Sequence, residues 1–381
     1  MADKITRGPL RWLRGDMHNH CEDHALVAEH LSGAGDTLDF IALTNHAQKP
    51  VFFEQHRMIE QARRILPGFP IFFGLEWNAP MGGHAGLVFP VGAREAENAY
   101  AFAAAHDRLG ATTSSSVEAA LTHLNALSAV ERPVLFFNHP AAGQWSTESI
   151  NRYLAADGAL GSVEAAGLVV GIEALHGHQA HAKVAAMDPC AYPGGAIGGL
   201  VDQVYAGQRP FSLLLNSDFH VHKQWHQPDY PLGVFNHIRV GVEAGHSPTP
   251  EAIFAGLRRG RTCASQGHWL DLSDFSVDDR FIGDTWTGGS GVLRVVFEAT
   301  EAVEKVELIG RWQPNAAPAV LECLASRPAG RCEWTLEIPA DAQGFVRLRI
   351  IAESRARPAP GPPAPKHFLT SAILLDASRD R

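Results

Sequence analysis

Two histidines two residues apart, His18 and His20, close the stretch GDMHNH, and an aspartate and a histidine at the same spacing, Asp218 and His220, close NSDFH. On an extended strand such pairs present both side chains on one face, which is how a strand offers a metal two ligands. Further candidates stand singly around short apolar runs: His46 after LDFIALTN, Glu76 after PIFFGL, His84 in GGHAGLVF and His139 in PVLFFNHP. Imidazoles mixed with a few carboxylates suit zinc, manganese or iron rather than calcium or magnesium. Each histidine alone is compatible with an ordinary hydrogen-bonded role; repeated placement at strand ends raises the set above that. All of the 20 histidines except His367 lie within residues 1–268. Ser217 has no GxSxG elbow around it, so no serine nucleophile competes.

The elements that must hold these groups read as alternating strands and helices. RWLRGDMHNH, LDFIALTNH, PIFFGLEW, PVLFFNHP, GLVVGIEAL, SLLLNSDFH and HIRVGVE are strand-like runs, the pattern of parallel strands with crossover helices. SSSVEAALTHLNALSAVE carries a capping box, Ser115 with Glu118, and SPTPEAIFAGLRRG opens at Thr249 and Pro250 and closes at Gly260. An open sheet gathers ligands only around a switch point, so six or seven contributing strand ends favour a closed β/α barrel. After about residue 272 short alternating strands take over without a long helix. The expected organisation is α/β: a barrel over residues 1–271 carrying the site, then a small all-β, sandwich-like domain over 272–381. FLTSAILLD reads as its last strand, and RARPAPGPPAPKH as a loop or linker before it.

Composition narrows the class. The chain has 381 residues, 45% hydrophobic and 19% charged, long enough for one large domain and a smaller one. No basic-then-apolar leader and no bilayer-length apolar run are evident, so a soluble cytoplasmic protein with no membrane partner is expected. A net charge of −9 without a basic block argues against nucleic acid. Cys21, Cys190, Cys263, Cys323 and Cys332 form no CxxC pair; reduced thiols are expected, although Cys323 and Cys332 could face each other across a hairpin.

In order, GDMHNH, LDFIALTNH, FFGLEW, GGHAGLVF, FFNHP and NSDFH resemble the motifs of the PHP (polymerase and histidinol phosphatase) superfamily, over residues 10 to about 270. GLRRGRTCASQGHWLDLSDFSVDDRFIGD and the β-rich tail further resemble its carbaryl hydrolase (CehA/McbA-like) branch. The resemblance implies a distorted (β/α)7 barrel with two or three divalent transition metal ions. By it, His18, His20, Glu76 and Asp218 hold the first metal, and Glu76 bridges to a second completed by His84 and His139. His46 and His220 hold a third, with Asp23 or His24 as a further ligand candidate. Asn45 stands where the family commonly has aspartate. Asp16 is expected to support the ligands rather than join them.

Metal ions so held would acidify a water, with Asp218 orienting it or holding its proton, and His220 or a third metal stabilising the leaving oxygen. The expected activity is hydrolysis of a small-molecule carboxylic or carbamic ester or amide; the alternatives are a phosphoesterase and a non-catalytic metal-binding PHP module. Lysine is scarce, with only six in the chain, and Lys49 and Lys223 are the two near the site able to hold a phosphate. Phe52, Phe53, Trp77, Trp145, Trp225 and Tyr230 either line an apolar pocket or pack in the core, with packing the default. Glu173 and His176 are candidate substrate or supporting contacts; His178, His181, His222 and His226 read as surface residues. A homo-oligomer is left open.

Overall fold

The computed structural model describes residues 10–49, 51–107, 115–140, 145–160, 167–175, 195–222, 227–228, 236–245, 248–353 and 365–377. Its first part comprises β1 (Leu10–Asp16), β2 (Asn19–Cys21), β3 (Phe40–Leu43), β4 (Ile71–Asn78), β5 (His84–Phe89), β6 (Val134–Phe137), β7 (Val169–Glu173), β8 (Ser212–Leu214), β9 (Phe219–His222), β10 (Gln227–Pro228), β11 (Asn236–Glu243) and β12 (Thr262–Gln266). The helices are α1 (Val27–Gly33), α2 (Gln55–Ile65), α3 (Glu95–His106), α4 (Val117–Asn125), α5 (Thr147–Leu160), α6 (Leu200–Ala206) and α7 (Pro250–Arg258).

The fold is mixed α/β. A large sheet runs in the order β12-β11-β1-β3-β4-β5-β6-β7-β8, and β2, β9 and β10 form a small separate one. Every residue of β3, β4, β6, β7 and β8 is buried, which is why these strands read as continuous apolar runs rather than alternating ones. Helix α2 lays Met58, Ile59 and Ala62 into the core, and Gln55 ties its start to the sheet by donating to Leu43 O and Gly74 O, both at 2.8 Å.

The sheet departs from the expected parallel pattern. β11 lies antiparallel to β1 and β12, and β5 antiparallel to β4 and β6. Along its backbone ladders the sheet is open. Side chains link β8 to the other end of this run: Leu213 N–H donates to Ser371 Oγ (2.8 Å), and Thr262 Oγ1 donates to Leu213 O (3.1 Å).

Two runs expected as single strands are broken where the chemistry sits. RWLRGDMHNH divides into β1 and β2, leaving Met17 and His18 in the break, and SLLLNSDFH divides into β8 and β9 around residues 215–218. Polar cross-links make the breaks. Asn216 Oδ1 takes the Met17 N–H (2.9 Å), Asp16 Oδ1 takes those of His18 (3.1 Å) and Ser217 (3.2 Å), and Asp218 N–H bonds to His18 O (2.9 Å). These groups would otherwise feed the ladders, so the chain steps sideways and β2 pairs in parallel with β9, His20 opposite His220.

Helix starts also refine the expectation. The N-cap of α4 is Ser116, which accepts the Ala119 N–H at 3.1 Å, while Ser115 bonds His106 Nδ1 at 2.6 Å. Helix α7 begins as expected, with Thr249 accepting the Ala252 N–H and Pro250 in the first turn.

The remaining strands are β13 (Leu270–Val277), β14 (Arg280–Phe281), β15 (Thr285–Trp286), β16 (Gly291–Ala299), β17 (Val303–Arg311), β18 (Ala319–Leu324), β19 (Gly330–Ile338), β20 (Gln343–Ala352), β21 (His367–Thr370) and β22 (Ile373–Asp376). A four-stranded sheet, β14-β13-β16-β19, and the strands β15, β17, β20, β21 and β22 contribute to a second apolar core that includes Trp269, Phe275, Phe297, Leu308 and Leu348. FLTSAILLD splits into β21 and β22. These strands do not form a detached module: β21 pairs with β12 and so continues the large sheet. A fully buried ion pair, Arg347 Nε to Asp202 Oδ1 at 2.7 Å, fastens β20 to α6. Cys323 and Cys332 are both free; β18 pairs with β17 and β19 with β16, so they lie in different sheets. Cys190 and the segment 354–364 lie outside the described residues. Among the described residues no helix is long and apolar enough to cross a membrane.

Candidate metal centre

Glu76, near the end of β4 and 2% exposed, stands at the middle of a ring of imidazoles. Its Oε1 lies 3.1 Å from His18 Nε2, 3.0 Å from His84 Nδ1 and 2.9 Å from His139 Nε2. Its Oε2 lies 3.1 Å from His20 Nε2 and 2.9 Å from His46 Nε2. Asp218 Oδ1 closes the ring, 3.3 Å from His18 Nε2 and 3.4 Å from His20 Nε2. Two groups with mutually close donor atoms result, His18, His20, Glu76 and Asp218, and His46, Glu76 and His84, with Glu76 common to both.

These spacings fit shared cations. Donor atoms about 2.0–2.2 Å from one metal, at tetrahedral to octahedral angles, lie about 3.0–3.5 Å apart. Among the described residues, both oxygens of Asp218, His20 Nε2 and His84 Nδ1 are buried without a hydrogen bond of normal geometry. Such groups are costly to bury unless something pairs with them. Burial opposes a charge on His18, but Glu76, Asp218 and Glu173 outweigh it and push its pKa well above the usual imidazole value. His46 and His139 are raised against burial by Glu76 in the same way. Burial likewise opposes ionisation of Glu76, and His46 and His18 overcome it to hold the carboxyl well below its usual range. For Asp218 burial is overcome by His18, His20 and His220. A field that retains protons on several imidazoles around two carboxylates is one that a divalent cation can take over.

Supporting contacts fix the ligands. Glu173, fully buried at the end of β7, accepts from His18 Nδ1 (2.9 Å), the His139 N–H (2.7 Å) and Asn216 Nδ2 (3.0 Å). With Nδ1 donating, Nε2 of His18 is left as the ligand nitrogen. Asp16 bonds the backbone of His18 and Ser217 and the Ser217 hydroxyl; burial still pushes its pKa up to about 6. His46 Nδ1 is 3.1 Å from Glu76 O, which aims Nε2 inward. Asn45 bonds Cys21 twice, accepting its N–H (3.0 Å) and donating to its O (3.1 Å). A carboxylate could not donate the second bond, which explains asparagine here. His139 (φ 28°) and Asp218 (φ 48°) hold left-handed backbone that costs free energy, as is common where a site dictates geometry.

The sequence-derived candidates fare unevenly. His18, His20, His46, Glu76, His84, His139, Asp218 and His220 converge. His46 groups with Glu76 and His84, however, while His220 stacks on His20 at 4.3 Å with Nδ1 2.9 Å from Asp218 O. Of the two further ligand candidates, Asp23 is buried and accepts the Ala25 N–H, and His24 is exposed. Lys49 is paired with Glu22 at 2.6 Å. Trp145 is buried against Phe137 and Tyr153 and donates its indole N–H to His84 O (3.1 Å), so it buttresses β5 rather than lining a pocket. His176 and Lys223, with Trp225, Tyr230, His178, His181 and His226, lie outside the described residues, as does the burial of His222.

Two asparagines escaped the sequence reading. Asn138 donates to Glu76 Oε1 (3.1 Å) and accepts the Gly86 N–H (3.0 Å), and Asn216 links Glu173 to Met17. Their signal was their position, one residue before His139 and two before Asp218. In a third close group, His56, Glu60 and Glu95, both carboxylates already pair with Arg63, 2.7 Å from Glu60 and 2.5 Å from Glu95. No protein-family model and no curated protein matches the chain.

Proposed function

We propose that the chain is a metal-dependent hydrolase that cleaves a small carboxylic or carbamic ester or an amide. The observation that carries this reading is the sharing of Glu76 between two ligand groups, the arrangement expected of a bridging carboxylate. Its motif order, resembling the PHP superfamily, and its β/α run with linked ends support reading the first part as a distorted (β/α)7 barrel. Zinc, manganese or iron ions on these residues would supply Lewis acidity, acidifying a water and polarising the scissile bond.

The chain's own groups define the approach. His18, His20, Glu76, Asp218 and His139 are at most 2% exposed, whereas the side chains of His46, His84 and His220 are 13%, 24% and 14% exposed. Substrate therefore enters on the side of these three. Asp218 is the carboxylate placed to orient the attacking water and take its proton, and His220, its ring fixed by His20 and Asp218 O, stands at the open side to stabilise the leaving oxygen. Of the two lysines named for a phosphate, Lys49 is engaged by Glu22, which counts toward an ester or amide over a phosphomonoester at that position.

Assays of 4-nitrophenyl acetate, an aryl N-methylcarbamate and 4-nitrophenyl phosphate on metal-loaded protein test the proposal. Ester or carbamate turnover lost in Glu76→Ala and Asp218→Ala supports it. Phosphate release alone assigns a phosphoesterase, and metal binding with no turnover of any of the three points to a non-catalytic module.

A further inference from the structure

Among the described residues a cavity lies away from the histidine ring. A space of about 790 Å³ opens between residues 90–94 after β5, residues 129–131 before β6, and α7. Since β5 runs from His84 in the ring to Phe89, this cavity lies beyond the opposite end of the strand. Its size is that of a small-molecule site. Pro90, Val91, Val130, Pro250 and Phe254 give it apolar walls, and Arg258 a guanidinium.

The charges around the cavity do not balance at that guanidinium. Glu95 is held by Arg63 (2.5 Å) and His56 (3.1 Å), and Glu131 by the Ser128 hydroxyl (2.6 Å), with Arg94 at 3.6 Å. Arg259 pairs with Glu243 at 3.4 Å, and Glu251 is exposed on the first turn of α7. Arg258 has no carboxylate within ion-pair distance among the described residues. It donates only to backbone, Arg132 O (2.6 Å) and Pro133 O (3.4 Å), and sits 5.6 Å from the centre of the Phe254 ring. Among the described residues, its Nε and that of Arg132 are buried without a hydrogen-bond partner. Burial, and then Arg132 beside it, lower the Arg258 pKa to about 10, so the group is still charged at neutral pH.

We propose that this cavity is a second binding site, for a small organic carboxylate whose hydrocarbon body packs on Val91, Val130 and Phe254 while its carboxylate pairs with Arg258. A guanidinium without a carboxylate partner, with Arg132 beside it and apolar walls around it, suits an anion that carries a hydrocarbon body better than a small, strongly hydrated one. Placed at the far end of β5 from Glu76, the site is separate from the metal centre and does not depend on the chain being a hydrolase.

Titration of the metal-loaded full chain with 4-fluorobenzoate, followed by fluorine NMR with 4-fluorobenzamide as the neutral control, tests this. Saturable binding of the acid but not the amide is expected, weakened about tenfold or more in Arg258→Gln and unchanged in Glu76→Gln. No binding by the wild-type chain, equal binding of the amide, or retention in Arg258→Gln would overturn the proposal. So would loss of binding in Glu76→Gln, which would place the acid at the metal centre. Should Arg258→Gln fail to fold, Val91→Trp fills the cavity from a surface turn and must abolish binding; undiminished affinity there also overturns it.

Discussion

Replacing Glu173 by glutamine exchanges one oxygen for an NH2 group where each hydrogen-bonding neighbour described for that carboxylate is a donor. Oε1 receives His18 Nδ1 and Asn216 Nδ2, and Oε2 receives the His139 N–H. If the glutamine oxygen stays toward His18, the NH2 faces the His139 N–H and a buried donor goes unmade, costing about 1–3 kcal/mol. If the amide turns over, the NH2 faces His18 Nδ1, so the ring must carry its proton on Nε2, the nitrogen 3.1 Å from Glu76. That nitrogen then cannot ligate a metal. Either orientation perturbs His18 or His139, and loss of such a supporting carboxylate typically lowers metal affinity about 10–100-fold. Competition of the purified variant against a chromogenic zinc chelator reads the affinity, and thermal melting in chelator reads the stability cost separately. Zinc affinity within twofold of wild type, with an unchanged melt, would refute the argument that Glu173 sets the His18 tautomer.

Three further outcomes follow from other parts of the structure. A Cβ at Gly82 would lie 2.2 Å from the Trp145 ring, so Gly82→Ala must push aside the indole that holds His84 O; denaturant titration should show a loss of about 1–3 kcal/mol, and an unchanged midpoint would contradict this packing. Arg347→Met strands Asp202 as an unpaired buried charge and should cost about 3–5 kcal/mol, with Arg347→Met/Asp202→Asn recovering at least half; a double variant no more stable than the single would deny that the pair fastens β20 to α6. His237 is held neutral, its pKa well below the usual 6.5, by burial and then by Arg239, His268 and Arg14. Its contribution is therefore present above pH 6.5 and lost as the pH falls below it, because only the unfolded chain takes up the proton. Between pH 7.5 and 5.5 wild type should lose about 1.4 kcal/mol more than His237→Phe, and parallel stability profiles would count against this assignment.

The candidate ligands were legible in the sequence because a strand end leaves a local mark, an apolar run closing in polar residues, as at Glu76 and His139. What was not legible depends on distant partners. His18 and His20 were expected on one unbroken strand; the break at Met17 and His18 is made by Asn216, Asp16 and Asp218, and Asn216 and Asp218 lie some 200 residues from it. Strand direction is likewise set by chain routing, so HIRVGVE looks the same whether β11 runs parallel or antiparallel to β1. The α4 cap moved from Ser115 to Ser116 because His106 claims the Ser115 hydroxyl, a contact invisible in a window of neighbouring residues. The final strands joined the first sheet rather than standing alone because the open edge of β12 found β21, which no local pattern of alternation specifies.

Metal content measured by plasma mass spectrometry on protein loaded with zinc or manganese and then dialysed tests the shared-carboxylate centre most directly. The arrangement around Glu76 predicts about two or more ions bound per chain, with Glu76→Gln losing ions from both groups and Asp218→Asn mainly from the first. Fewer than about one ion per chain in the wild type, or full loading retained by Glu76→Gln, would contradict it.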